Sequence, residues 1–432
     1  MVIADQDSPR ILARSEHRVS RRDIDANALK VLERLDRAGF KGYLVGGSVR
    51  DLMLGRRPKD FDVATDASPN QARKLFRNSR IIGRRFRLVH VYFEGDIVEL
   101  ATFRRDPDPD EQASAPGELL ITSDNVFGTP RQDAFRRDFT ANALFYDIGE
   151  HTVIDFVGGV ADLEAGVIRT IGDPEVRFRE DPVRMMRACE MAGRLDFTID
   201  GESQLAVRRL AGEIHKASPA RITEEILQLL RCGAAAPAMQ WMHDLGLLPL
   251  VLPEADLVLS ASGYGAPELE RLIPAIDALV GKGREPSEAS LLAALLLPSV
   301  LLRRRQVEAE SGQPIQRRRL RELTEQVLTP FFARHTVAKV KAESVSLALD
   351  TFHRLGERRW DINERIRLAR RTSFVDALGL FEMMVEATGE GHAEFQAWER
   401  VSREVTPRRP PPQRRRRARG GRRRPRRRSP KV

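Results

Sequence analysis

The sequence predicts an α+β protein: a mixed sheet with helices packed on it, then an all-helical remainder, then a basic tail. Three observations predict it. Up to about residue 158, short apolar runs of strand character alternate with short helical patterns. From about Asp181 onward the strand signals vanish and apolar residues recur at helical spacing. Residues 408–432 hold 14 Lys or Arg and no acid, so residues 1–407 carry 58 basic and 62 acidic groups, a net of −4 within a chain of +10.

Taken in order, "MVIADQDSPRILARSEHRVSRRD" has no apolar core of a signal peptide. "DIDANALKVLERLDRA" places Ala28, Val31, Leu32 and Leu35 on one helical face, with Asp23 and Asp25 as capping residues. The strand-like runs are "GYLVGG", "DFDVAT", "RLVHVYFEG", "DIVELATF", "LFYDIG" and "VIDFVGG"; "SVRDLML" and "SPNQARKLFR" read as helices between them. "RDPDPDEQASAPGELLITSDNVF", rich in Pro, Asp and Ser, reads as a mobile loop. The helical part holds "PVRMMRACEMAGRL", "ARITEEILQLLRCG", "APAMQWMHDLGLL", "SEASLLAALLL" and "ERIRLARRTSFVDALGLFEMMVEA". "LLAALLLPSVLL" (291–302) is too short to span a bilayer and is interrupted by Pro298, so no integral membrane segment is expected. Cys189 and Cys232 have no C-x-x-C spacing, which suggests neither disulfides nor cysteine-bound zinc and fits a cytoplasmic protein. The tail cannot bury apolar area and repels itself. It is expected to be disordered and to touch phosphates.

Asp60 and Asp62 in "KDFDV" are spaced to project from the same side of a strand, where an unpaired charge is costly unless something binds it. Two such acids suit Mg²⁺, which takes hard oxygen ligands and is commonly shared with substrate phosphates. Glu99 in "DIVELATF" is the natural third carboxylate if its strand lies beside the first. Upstream, "LVGGSVRDLML" reads as strand, Gly46–Gly47 turn and helix with Ser48 at or near the N-cap, a backbone suited to a triphosphate. "EDPVRMMRA" places Asp181 at an N-cap, Pro182 at the first helical position, and Arg184 and Arg187 one turn apart. A carboxylate and a guanidinium together can hydrogen-bond the Watson–Crick edge of a base. The plain alternative is that Asp181 only caps the helix while Arg184 pairs with Glu180. "HDLG" (243–246) lacks the companion ligands of a metal phosphohydrolase, so His243 and Asp244 are read as a helix end; His90 is read as strand packing or a hydrogen bond.

"LVGGSVRDLMLGRRPKDFDVATDASP", "RRDFTANAL" and "REDPVRMMRA" resemble the signatures of the class II nucleotidyltransferase group, which holds the bacterial poly(A) polymerases and the tRNA CCA-adding enzymes. The resemblance implies a nucleotidyltransferase head of the polymerase β-like fold at 37–175, preceded by an extension and helix (1–36). A helical neck (176–250), a helical body (251–403) and the tail (404–432) follow. It further implies two Mg²⁺ ions on Asp60 and Asp62, with Glu99 or Asp138 as a further catalytic acid. ATP is the implied substrate, bound through Gly46, Gly47, Ser48, Arg50, Arg137, Asp181, Arg184 and Arg187. "IIGRRFRLVHVYF", "DNVFGTPRQDAFRRDF" and the arginine-rich end resemble the poly(A) polymerase version, which makes Arg84, Arg85, Arg87 and Arg414, Arg415, Arg416 and Arg417 RNA-binding candidates. The expected activity is template-independent addition of AMP to single-stranded RNA 3′ ends with release of pyrophosphate, promoting RNA decay, with RNA-decay proteins as possible partners. The alternatives are a tRNA CCA-adding enzyme and a non-catalytic RNA binder on an inactive head; the intact acid set speaks against the latter.

Overall fold

The computed structural model describes residues 8–83, 87–105, 126–260, 270–356 and 360–405. Arg84, Arg85, Arg414, Arg415, Arg416 and Arg417, and most of the stretch read as a mobile loop, lie outside them.

Asp25 starts helix α1 (Ala26–Arg37) by accepting hydrogen bonds from the amides of Asn27 and Ala28. Its buried residues are Ala28, Val31, Leu32 and Leu35, the four picked out by the sequence period. They pack on an eight-stranded mixed sheet of order β1-β8-β7-β2-β3-β6-β5-β4. The strands are β1 (Arg10–Leu12), β2 (Gly42–Val45), β3 (Asp62–Thr65), β4 (Ser79–Ile82), β5 (Leu88–Phe93), β6 (Asp96–Thr102), β7 (Leu144–Asp147) and β8 (Thr152–Asp155). β3 and β6 run parallel and the other neighbours antiparallel. Alternation splits each strand between two cores: Leu44, Val63 and Leu100 face α1, whereas Val45, Ala64, Phe103 and Phe145 face the opposite layer. Sequence reasoning missed β1, whose three residues pair with β8 and so carry the N-terminal extension into the head sheet.

Around the sheet lie α2 (Gly47–Met53), α3 (Pro69–Leu75), α4 (Pro130–Arg136) and α5 (Gly159–Ala165). Two further strands, β9 (Val167–Ile168) and β10 (Thr198–Ile199), pair in parallel and tie the end of the head to the segment beyond the next helices. Those are α6 (Pro174–Glu180) and α7 (Val183–Leu195), followed by α8 (Gly201–Leu210), α9 (Pro219–Arg231) and α10 (Ala235–Asp244). One apolar cluster joins α7, α9 and α10 to the helices at Leu272–Gly281, Glu288–Ser311 and Phe374–Thr388, and a smaller one gathers around buried Trp398.

Several local expectations are corrected. Pro298 lies inside the Glu288–Ser311 helix rather than ending it. The run beginning "ERIRLARR" divides into Ile362–Ala369 and Phe374–Thr388. His243, near the end of α10, is paired with Asp256 at 2.7 Å, the helix-end role expected of it. Among the described residues no helix is long and apolar enough to cross a membrane.

Candidate active site

Val63 pairs with Leu100 across the parallel β3–β6 edge, so one residue earlier Asp62 and Glu99 lie side by side on the other face. Asp60 falls just before β3 rather than within it, and it is exposed. Burial pushes the Asp62 carboxyl up to about 6, reinforced by the negative charge of Glu99 and Asp60 and opposed by Arg137. The three acids of the sequence reading are therefore electrostatic neighbours. Glu99 is hydrogen-bonded to His90 Nε2 at 3.1 Å, the kind of bond read for His90. Among the described residues no three His, Cys, Asp or Glu side chains stand ready as a metal cage. A crowded carboxylate pair open to solvent on one side suits Mg²⁺, which takes one or two protein carboxylates and fills its remaining positions with phosphate and water.

Gly46 ends the strand β2 in a conformation reserved for glycine, with φ of 74° and ψ of −139°. A side chain here would meet Arg137 Nη1 at 3.3 Å and Asp62 Oδ2 at 4.0 Å. The Gly-Gly turn is thus laid directly against the acids. Gly46 occupies the N-cap of α2, and Ser48 is not a cap: its buried hydroxyl turns back to donate to the Val45 carbonyl at 2.9 Å. Arg50 is buried beneath the turn. It donates to Asp51 Oδ1 from Nε at 2.8 Å and to Asn142 Oδ1 from Nη1 at 2.5 Å, which makes it a brace of the turn, contrary to the expected direct nucleotide contact.

Arg137, by contrast, lies beside the Gly46 turn with its side chain 19% exposed. Asp133 accepts from its Nε and Nη2 at 3.2 and 2.9 Å, Asn142 O accepts from Nη1 at 3.3 Å, and the guanidinium lies 5.1 Å from the Phe145 ring centre. Asp138 belongs to a different pairing. Burial alone would raise its carboxyl, but Arg187, donating from Nε at 2.9 Å and Nη2 at 2.6 Å, holds it down at about 2. Asp138 and Arg187 therefore neutralise each other between head and neck. Glu225 of α9 lies 3.9 Å from Arg187, with its own carboxyl pushed up to about 7 by burial.

Asp181 closes α6, and the N-cap of α7 is Pro182, so the expected cap at Asp181 is not formed. Its buried carboxylate is held instead by Arg221 of α9, whose Nη2 donates to Oδ2 at 2.8 Å while Nη1 donates to Oδ1. Arg184 donates to Glu180 Oε2 and to the Arg177 carbonyl, both at 3.0 Å, which is the plain pairing weighed for it. Arg221, Asp133 and Asn142 were missed by sequence reasoning. Nothing local in "SPARITEEI" marks Arg221 as the partner of an acid 40 positions earlier. Of the RNA-binding candidates, Arg87 is described and exposed, at the start of β5.

Comparison with known proteins supplies the family. The poly A polymerase head domain matches residues 42–169, and the "probable RNA and SrmB- binding site of polymerase A" matches residues 196–259. Poly(A) polymerase I of Salmonella typhi is 44% identical over 310 residues, covering 70% of this chain and 66% of that protein. The chain thus matches just under two thirds of that relative's length. The CCA-adding enzyme of Geobacillus thermodenitrificans is 35% identical over 246 residues, covering 56% of this chain and 59% of that protein. Among solved structures, Bacillus stearothermophilus CCA-adding enzyme in complex with CTP aligns with a TM-score of 0.60 at 25% identity, covering 87% of this chain and 82% of that one.

Proposed function

The chain belongs to the class II nucleotidyltransferase family of bacterial poly(A) polymerases and CCA-adding enzymes, and from that premise we propose that it adds AMP from ATP to RNA 3′ ends and releases pyrophosphate. The observation that carries this reading is the Asp62–Glu99 pair beside Gly46 and Arg137: acids for a divalent cation stand next to a backbone turn and a cation for phosphates. Greater identity to poly(A) polymerases than to CCA-adding enzymes supports ATP over the C, C, A sequence.

Asp60 and Asp62 are the residues that would hold Mg²⁺. Held there, the ions would supply acidification of the RNA 3′-hydroxyl and charge stabilisation of the departing pyrophosphate. The protein's own groups do the positioning. Gly46 lets the backbone approach the triphosphate, and Arg137, fixed by Asp133, places positive charge beside the same turn. Glu99, hydrogen-bonded to His90, is the third acid of the site; Asp138 is neutralised by Arg187 and serves the head–neck junction. Asp181 accepts from the exocyclic amine of the base and Arg184 donates to a ring nitrogen, after exchanging its bond to Glu180 for the base. The head is 37–175. The neck (176–250), body (251–403) and tail (404–432) hold the RNA strand. Arg84, Arg85, Arg87 and the tail arginines add sequence-tolerant phosphate contacts.

The test is an extension assay with Mg²⁺, offering ATP or CTP separately to an unstructured RNA and to a tRNA ending before CCA. Long A ladders on both RNAs with little C incorporation are expected. Addition confined to C, C and A on the tRNA would overturn the reading.

A further inference from the structure

A cleft adjoins Asp60. It has a volume of about 830 Å³ and is walled by the N-terminal segment, the α2–β3 connection and the first residues of β6; Asp60 lines it, whereas Gly46, Asp62 and Arg137 do not. Arg18, Arg22, Arg57 and Lys59 all line it, are exposed, and have no carboxylate within ion-pair distance among the described residues. Of the acids in the walls besides Asp60, Asp25 caps α1 and Asp96 accepts from the Asn27 side chain at 3.0 Å and from the Ile97 amide at 2.8 Å, which leaves exposed Asp23 as the acid that offsets one of the cations. The α2–β3 connection is anchored, because Arg56 donates to the carbonyls of Arg194 and Leu195 at the end of α7, at 3.0 and 3.3 Å. Arg18 and Arg22 precede the segment matched by the family's head domain, so one wall is not part of that match.

We propose that this cleft binds the phosphodiester backbone of the RNA just upstream of its 3′ end. The inference rests on the adenylyltransferase reading. Two anionic substrates must meet at the Asp60–Asp62 acids. The Gly46 turn and Arg137 suit the triphosphate, and four cations without acidic partners, lining the same cleft as Asp60, suit the strand that delivers the hydroxyl. The contacts reach phosphates, so the hold is tolerant of sequence.

The test compares the full chain with its Arg18→Ala/Arg22→Ala/Arg57→Ala variant. Affinity for a 5′-fluorescein oligoadenylate of about 15 nucleotides is read by anisotropy across a salt series, and ATP affinity is read alongside. At roughly 0.7 per single-stranded phosphate contact, the slope of log affinity against log salt should shrink by about 2, with ATP affinity unchanged. RNA carrying 4-thiouridine near its 3′ end should crosslink to the peptide holding Arg57 and Lys59. An unchanged salt slope, crosslinks confined to the helical body, or equal losses of RNA and ATP affinity would each overturn the proposal. Wild-type protein that shows the cleft-dependent slope but never incorporates AMP would overturn the adenylyltransferase reading while supporting the cleft as an RNA site.

Discussion

Arg221 of α9 holds both carboxylate oxygens of Asp181 at the junction of α6 and α7, fixing an acid whose backbone lies in an extended conformation outside either helix. Fixing matters because a base read by two or three hydrogen bonds is discriminated only if the acceptor stands still. Arg221→Met should lower the ratio of kcat/KM for ATP over CTP about tenfold, and Asp181→Ala should lower it further, both on the same RNA. An unchanged ratio in Asp181→Ala would remove base reading from this junction.

Asp62→Asn should reduce Mg²⁺-dependent AMP addition by about 100-fold or more, since several kcal/mol of transition-state stabilisation pass through the cation site. Its effect on stability should run the other way. A carboxyl raised from its ordinary 3.8 to about 6 favours the folded state below the lower value and loses that advantage as pH rises through the upper one. With EDTA present, wild-type Tm should therefore fall between pH 4 and 7, and Asp62→Asn should flatten that fall, by about 3 kcal/mol at neutral pH.

Asp138 and Glu99 should separate cleanly. The folded-state value of about 2 for Asp138, against an ordinary 3.8, gives stability that is present at neutral pH and lost as acid protonates it, worth about 2 kcal/mol. Arg187→Ala leaves that buried charge alone and should cost about 3–5 kcal/mol in denaturant unfolding. Glu99→Gln should abolish most activity with little change in the unfolding midpoint. If Glu99→Gln stayed active while Asp138→Asn lost activity at unchanged stability, the two assignments would have to be exchanged.

Gly46→Ala forces a side chain into a backbone region that costs about 1–3 kcal/mol for other residues and sets a methyl 3.3 Å from Arg137. The KM for ATP should rise about tenfold, with RNA affinity held. Gly47→Ala would press instead on buried Arg50, also at 3.3 Å, so its loss should appear as lower Tm.

Much of this site could be read in one dimension because its parts are local or periodic. The helical face of Ala28, Val31, Leu32 and Leu35 follows from spacing alone, and Glu99 was identifiable as a charge inside an apolar run. What failed depended on backbone conformation or on distant packing. Ser48 looks like a cap until Gly46 takes that position with a positive φ, and Arg50 looks like a phosphate ligand until Asn142 arrives from 92 residues away to bury it. Arg184 has two partners within its own sequence neighbourhood, Arg177 and Glu180, and so the local reading of it was available. Arg221 reaches Asp181 only because α9 packs on α7, which no periodicity encodes.

The short strand at Arg10–Leu12 and the helix at Ala26–Arg37 place a cutting point where similarity would not put it. A fragment begun at residue 42, where the head match starts, would discard the partner of β8 and seven buried side chains of the head core, Leu12, Val19, Ile24, Ala28, Val31, Leu32 and Leu35. It would present an unpaired strand edge beside a bare apolar face, a template for self-association. Grafting this head onto another neck and body therefore calls for a junction upstream of Arg10, and residues 10–37 travel with it as structural cargo.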